Sequence, residues 1–127
     1  MNNQRIEPGP GQESVWDYPR PPRVEDSNKH IQVVFAGVVI ADTRRAKRVL
    51  ETSHPPVYYV PLEDVRLEYL ERSDGTSWCV WMGQASYYNV FVDGRQAAIA
   101  AWFYPVPQKA YAAIRYHVAF YTQKMVA

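Results

Sequence analysis

The stretch DVRLEYLERSDGTSWCVWMGQASYYNVFVDGRQAAIAAWFY, residues 64–104, alternates apolar and polar side chains around two Asp-Gly pairs. Asp-Gly between alternating segments is a strong hairpin signal, because a tight two-residue turn needs positive φ at both central residues. Two hairpins are predicted. The first runs from Val65, turns at Ser73–Thr76 and returns along Trp78–Met82. The second runs from Ser86 to Val92, turns at Asp93–Arg95 and returns along Gln96–Tyr104. In the first, Val65, Leu67 and Tyr69 are expected on one face and Arg66, Glu68 and Leu70 on the other. Hairpins joined in this way make an antiparallel meander.

The flanking segments extend this reading. Residues 30–42 are dense in Val and Ile and split at Gly37, which predicts strands near 31–35 and 38–41. Residues 42–51 read as a short helix, with Asp42 or Thr43 as N-cap and Ala46, Val49 and Leu50 as the apolar stripe. Arg44, Arg45, Lys47 and Arg48 would then cover its solvent face. The segment HPPVYYVP, His54–Pro61, is stiffened by prolines and predicts a short strand over 57–60. Residues 108–117 have helical spacing at Tyr111, Ala113, Ile114 and His117, and VAFYT after them reads as a closing strand. The fold class expected is mainly β: an antiparallel meander curled into a tent-like or partly open barrel, with one or two short helices. Alternating βαβ units are absent, which excludes a doubly wound parallel sheet.

The chain has 127 residues, 47% of them hydrophobic and 21% charged, which suits one packed domain. Residues 1–13 read as a flexible tail and 14–127 as a single domain. Within it, 14–27 is an extended proline-rich arm that has Trp16 and Tyr18 to bury. Net charge is +1, so no overall field draws in nucleic acid or an anionic membrane. The longest apolar run is about seven residues, from Ala97 to Phe103, against roughly 20 for a membrane span. Cys79 is the single cysteine, so no intrachain disulfide forms, and the N-terminus has no apolar signal region. The expectation is a cytoplasmic protein.

No Gly-rich phosphate loop, GxSxG, HExxH or CxxC pair is present, nor an acidic pair at one-residue spacing. Histidines 30, 54 and 117 lack the local pairing of zinc ligands, and no metal or cofactor is expected. His54 has two readings. It is a general acid or base held rigid by Pro55 and Pro56, or it caps the preceding segment. Cys79 is a nucleophile if the fold brings a base to it, and otherwise a buried inert thiol. Tyr58 and Tyr59 point to opposite faces of their strand. Alternation puts Cys79 and Trp81 on one face and Trp78, Val80 and Met82 on the other. With Tyr58, Tyr59, Tyr87, Trp102 and Tyr104, the Trp81 ring forms an aromatic set suited to line a ligand cleft. The competing reading of these rings is a sheet-packing layer or a dimer interface. Glu63 and Asp64 read as a turn.

Several separated blocks, SVWDYPRPP, FAGVVIADTRRAKRVLETSHPPVYYVPLEDV, WCVWMGQASYY and AAWFYPVPQKAYAAIRYHVAFY, resemble the domain-of-unknown-function family DUF427. The resemblance covers about residues 14–121. It implies a small, mainly β, tent-like or barrel-like domain, and its label suggests a nucleotidyltransferase. It places recurring family positions at Trp16, Pro19, His54, Pro55, Tyr58, Tyr59, Pro61, Cys79, Trp81, Gly83, Tyr87, Trp102, Tyr104 and Pro105. Met82 stands where the family pattern has Lys. Three functions follow as expectations: a domain binding a small molecule in an aromatic cleft, an enzyme using His54 with Cys79, or a homodimeric interaction module.

Overall fold

A computed structural model describes residues 9–10 and 12–122. The tail expected at 1–13 lies mostly outside the described residues. The chain is mainly β. Its strands are β1 (Arg23–Asp26), β2 (Ile31–Phe35), β3 (Val38–Thr43), β4 (Lys47–Leu50), β5 (Val57–Pro61), β6 (Leu70–Cys79), β7 (Gly83–Val92), β8 (Arg95–Phe103) and β9 (His117–Phe120). Seven of them form one antiparallel sheet in the order β1-β4-β5-β9-β8-β7-β6, open at both edges rather than closed into a barrel. β2 and β3 form a separate hairpin. Helical structure among the described residues is confined to short 3-10 turns. No helix among them is long and apolar enough to cross a membrane.

The second Asp-Gly pair turns as predicted. Asp93 and Gly94 have φ of 48° and 78°, and Val92 pairs with Arg95 across them. The first does not turn. β6 runs straight through Ser73–Thr76, and the reversal falls at Val80–Met82. Between Arg72↔Tyr88 and Thr76↔Ser86, β6 spends four steps against two on β7, so Asp74-Gly75 lies in a bulge. The long β7 decides this, because it offers a ten-residue ladder that a hairpin closed at Asp74 would forfeit. Val65 instead bridges Ala41, and Leu67–Tyr69 is a 3-10 turn, so the predicted alternation over 65–70 does not form. Trp78 and Val80 are exposed, while Met82 folds inward beside the turn and parts from them.

The helix predicted over 42–51 is corrected, and that within 108–117 forms only as a short 3-10 helix. Residues 42–51 are the end of β3, a bend and then β4. Thr43 holds the bend, its hydroxyl donating to Asp64 at 2.7 Å and accepting from the Arg45 N–H at 3.0 Å. A lone helix of that length is marginal in water, whereas β4 gains ladders on both sides, with β1 and β5. Arg44 and Arg45 therefore sit in the bend, and Lys47 and Arg48 on β4. Residues 109–114 are a kinked 3-10 turn, in which Tyr111 and Ile114, three apart, share the buried side. The closing strand is β9.

The arm is stitched to the β4–β5 turn. Thr52 N–H and Ser53 N–H donate to the Pro19 and Val15 carbonyls, and Tyr111 OH donates to that of Pro22. Tyr18 is buried, but Trp16 is 45% exposed, which corrects the expectation that both would bury.

Two apolar clusters pack on the sheet. Under the β2–β3 hairpin lie Phe35, Ile40, Val60, Val90, Val92 and Ala100. Ile40 is the extra residue of a bulge opposite Val33–Val34 and is fully buried. The other cluster gathers Tyr59, Met82, Tyr104, Tyr111 and Ile114. Tyr59 and Val60 are chain neighbours on β5 and so serve opposite faces.

The two Asp-Gly pairs make separable predictions. Gly94→Ala places a Cβ at φ +78° with nothing within 4 Å, so its cost is backbone strain alone, about 1–2 kcal/mol. Gly75→Ala should stay within about 0.5 kcal/mol of the parent, because its φ is not in the left-handed region. Urea midpoints of both variants decide, and equal losses would contradict the bulge.

Candidate aromatic crevice

The site arises where the large sheet parts. β9 is four residues long and works diagonally: His117 and Val118 pair with β5, while Ala119 and Phe120 pair with β8. Beyond Val118 the β5 ladder has no registered partner. The N-terminal half of β5 and the C-terminal end of β8 thus face each other across an opening. Aromatic side chains fill it.

Trp102 and Tyr59 meet edge to face, with centroids 6.1 Å apart and planes at 81°, and the indole Nε1–H donates to Tyr59 OH at 3.1 Å. Tyr59 in turn donates to Met82 Sδ at 3.9 Å. Tyr104 lies 6.4 Å from Tyr59, and Tyr121 packs on Trp102 at 4.2 Å. Cys79, Trp81 and Tyr87 are half-buried against the same cluster. Tyr87 OH lies 2.5 Å from Ser77 Oγ. Edge-to-face contacts of this kind add about 0.5–1.5 kcal/mol beyond burial. Burial pushes the phenols of Tyr59 and Tyr104 well above the ordinary tyrosine value, so both remain neutral hydroxyls at any physiological pH. Cys79 lies beside Tyr104 and has no histidine within its cluster.

An apolar crevice of about 250 Å³ opens beside Trp102. Its walls are Ile31 and Val33 of β2, Pro56 just before β5, Val57, Tyr58 and Val60 of β5, and Phe120, with Gln32 and Thr122 supplying polar groups. It is the space between hairpin and sheet that the short β9 leaves open.

The predicted residues separate. Tyr59, Cys79, Trp81, Tyr87, Trp102 and Tyr104 share one cluster. Tyr58 stands outside it on the opposite face, and with Trp102 it lines the crevice. His54 is exposed in the β4–β5 turn, its Nδ1–H donating to the Thr52 carbonyl at 2.8 Å. His30 lies 2.8 Å from Asp42, and His117 donates to the Arg115 carbonyl. Among the described residues, no three His, Cys, Asp or Glu side chains gather where they would hold a metal ion. Glu63 and Asp64 form the expected turn and grip Arg45, which holds the Asp64 carboxyl below its usual range. Sequence reasoning missed Gln32, Val33, Phe120, Tyr121 and Thr122. No local signal marks them, since only the packing of β2 and β9 on β5 brings them together.

Residues 23–127 match the family described as Domain of unknown function (DUF427). No curated protein matches the chain. Met82 is buried here as a sulfur acceptor for Tyr59.

Tyr59→Phe keeps the ring and deletes the oxygen that accepts the indole N–H, for an expected loss of about 1–3 kcal/mol near neutral pH. The parent should also weaken in alkali. The Tyr59 phenol is held protonated in the fold, whereas in the unfolded chain it ionises near its ordinary value. Its contribution is therefore fully present below a pH of about 10 and falls as pH rises further. In Tyr59→Phe that alkaline fall should be shallower, by up to about 1.4 kcal/mol per pH unit. Urea titrations across alkaline pH read both effects, and an unchanged slope would count against the assignment.

Proposed function

We propose that this chain, which belongs to the DUF427 family, binds a small, largely apolar, ring-bearing molecule in the crevice beside Trp102. One observation carries the reading: Tyr58 and Trp102, on different strands, face a concave apolar space that the sheet itself leaves unfilled. Concave apolar walls with few polar groups are the usual form of a small-molecule site. Rigid rings add contact area at low entropic cost, and the Trp102 indole is fixed in place by its bond to Tyr59. Gln32 and Thr122 supply the polar contacts that would orient a ligand. The aromatic cluster behind Trp102 is the rigid backing of this site.

A second reading, a homodimeric module, is favoured by a different observation. Trp78, Val80 and Val106 are 69%, 70% and 74% exposed, and Trp78 and Val106 border a groove with Gly83, Pro105 and Pro107. Gly83 has φ +105° and a close neighbour in the Val106 carbonyl, 3.5 Å from where a Cβ would stand, so this apolar corner is tightly built. Apolar patches of this kind mark association surfaces. Light scattering on the parent and on Trp78→Glu decides it. The expected result is a dimeric parent and a monomeric variant, and a monomeric parent rejects it.

For the crevice, a library of small aromatics, sugars and short peptides is titrated while tryptophan fluorescence is read, with Trp102→Phe identifying the responding indole. At least one aromatic compound should bind. Gln32→Trp, a bulky change at an exposed position on the crevice wall, should weaken it by about tenfold while stability stays within about 0.5 kcal/mol. A flat response across the library would sink the proposal.

A further inference from the structure

The apolar crevice shares a wall with a second, larger cleft of about 620 Å³, and that wall is Tyr58. The larger cleft is lined by the cations of Lys29, Arg44, Arg45, Lys47 and Arg48, and by Glu25 and Asp26. Most of this charge is already matched. Arg48 bonds Glu25 at 2.9 Å and Glu13 at 3.0 Å, Lys47 pairs with Asp26, and Arg45 pairs with Asp64 and Glu63. Two cations remain. Among the described residues, Lys29 and Arg44 have no carboxylate within 4 Å, and both are exposed. Lys29 Nζ instead lies 3.5 Å from Tyr58 OH and 5.8 Å from the centre of its ring.

The five carboxylates named equal the five cations in number, but each is committed to Arg45, Lys47 or Arg48, so the Lys29 ammonium and the Arg44 guanidinium are the groups left to bond an oxyanion. Ser27 and Asn28 line the same space and add neutral polar groups. The tyrosine that bounds the apolar space also accepts from the Lys29 ammonium at its tip. A single molecule that passes Tyr58 would therefore meet apolar walls on one side and positive charge on the other.

Building on the crevice reading, we propose that the ligand is an amphipathic anion. Its short aryl or alkyl body lies in the crevice, and its carboxylate or phosphate head lies in the cleft on Lys29 and Arg44. The neutral analogue keeps the apolar contacts and loses only the charge-assisted ones. Removing the head should then cost about tenfold in affinity, and that margin should narrow as salt is raised.

The test uses the full chain and five probes: 4-phenylbutyrate, 4-phenylbutyl phosphate, 4-phenylbutanol, phenol and inorganic phosphate. Calorimetry gives affinity, and Trp102 fluorescence reports on the crevice. At least one anionic probe should bind about tenfold tighter than the alcohol, and whichever does names the head group. In the double variant Lys29→Met/Arg44→Met, anion and alcohol should bind within about twofold of each other. Equal affinities in the parent overturn the amphipathic anion and leave the crevice reading intact. Inorganic phosphate that binds as tightly as the phenylbutyl anions, and loses that binding in the double variant, also overturns it, because the cleft would then act alone. Silence from every probe, phenol included, overturns the inference and the crevice reading together.

Discussion

The structure depends on how a four-residue strand is shared. β9 gives its first two residues to β5 and its last two to β8, and among the described residues it is the only strand that links the halves of the large sheet. A longer β9 would zip both ladders to the end and leave two covered faces. A shorter one would leave β5 and β8 unconnected. At this length the sheet is continuous on one side and parted on the other. Side chains, not backbone, must close the parted side.

That explains which side chains are there. Edges of sheet carry backbone groups that need partners, and a gap between strands must exclude water or satisfy it. Trp102, Tyr59 and Tyr104 do both. Their ring faces supply apolar area, and inside it the Trp102 indole N–H donates to Tyr59 OH, which donates on to Met82 Sδ. No buried side-chain nitrogen or oxygen among the described residues lacks a partner. The phenols stay neutral because burial opposes their ionisation, so the cluster introduces no uncompensated charge. Charge is kept on the other side of Tyr58, where carboxylates tie down three of the five cations.

Several elements show how local signals and tertiary context divide the outcome. Asp93-Gly94 turns, and Asp74-Gly75, with the same dipeptide, bulges. Both sequences permit a turn, and the choice between them is made by β7, which needs a ten-residue partner on β6. Residues 42–51 carry a helical stripe in Ala46, Val49 and Leu50, yet the same residues bury equally well in a strand covered on both faces. The strand misread there, β4, also lines the charged cleft. His54, marked by its two prolines, ends on the surface of a turn. The aromatic set fared differently: five of its six rings meet in one cluster, with Tyr58 outside it.

The sequence by itself determined the mainly β class, the hairpins at Gly37 and Gly94 and the identity of the rings. These follow from period-two patterning, left-handed turn residues and side-chain chemistry, all local properties. Strand alternation already set Tyr58 and Tyr59 on opposite faces; only the tertiary structure decided where the sheet parts, that Tyr58 forms a wall between two spaces, and that Lys29 comes within reach of it. Such contacts join residues dozens of positions apart. They are set by strand order and register, which depend on the packing energy of the whole chain rather than on any segment within it.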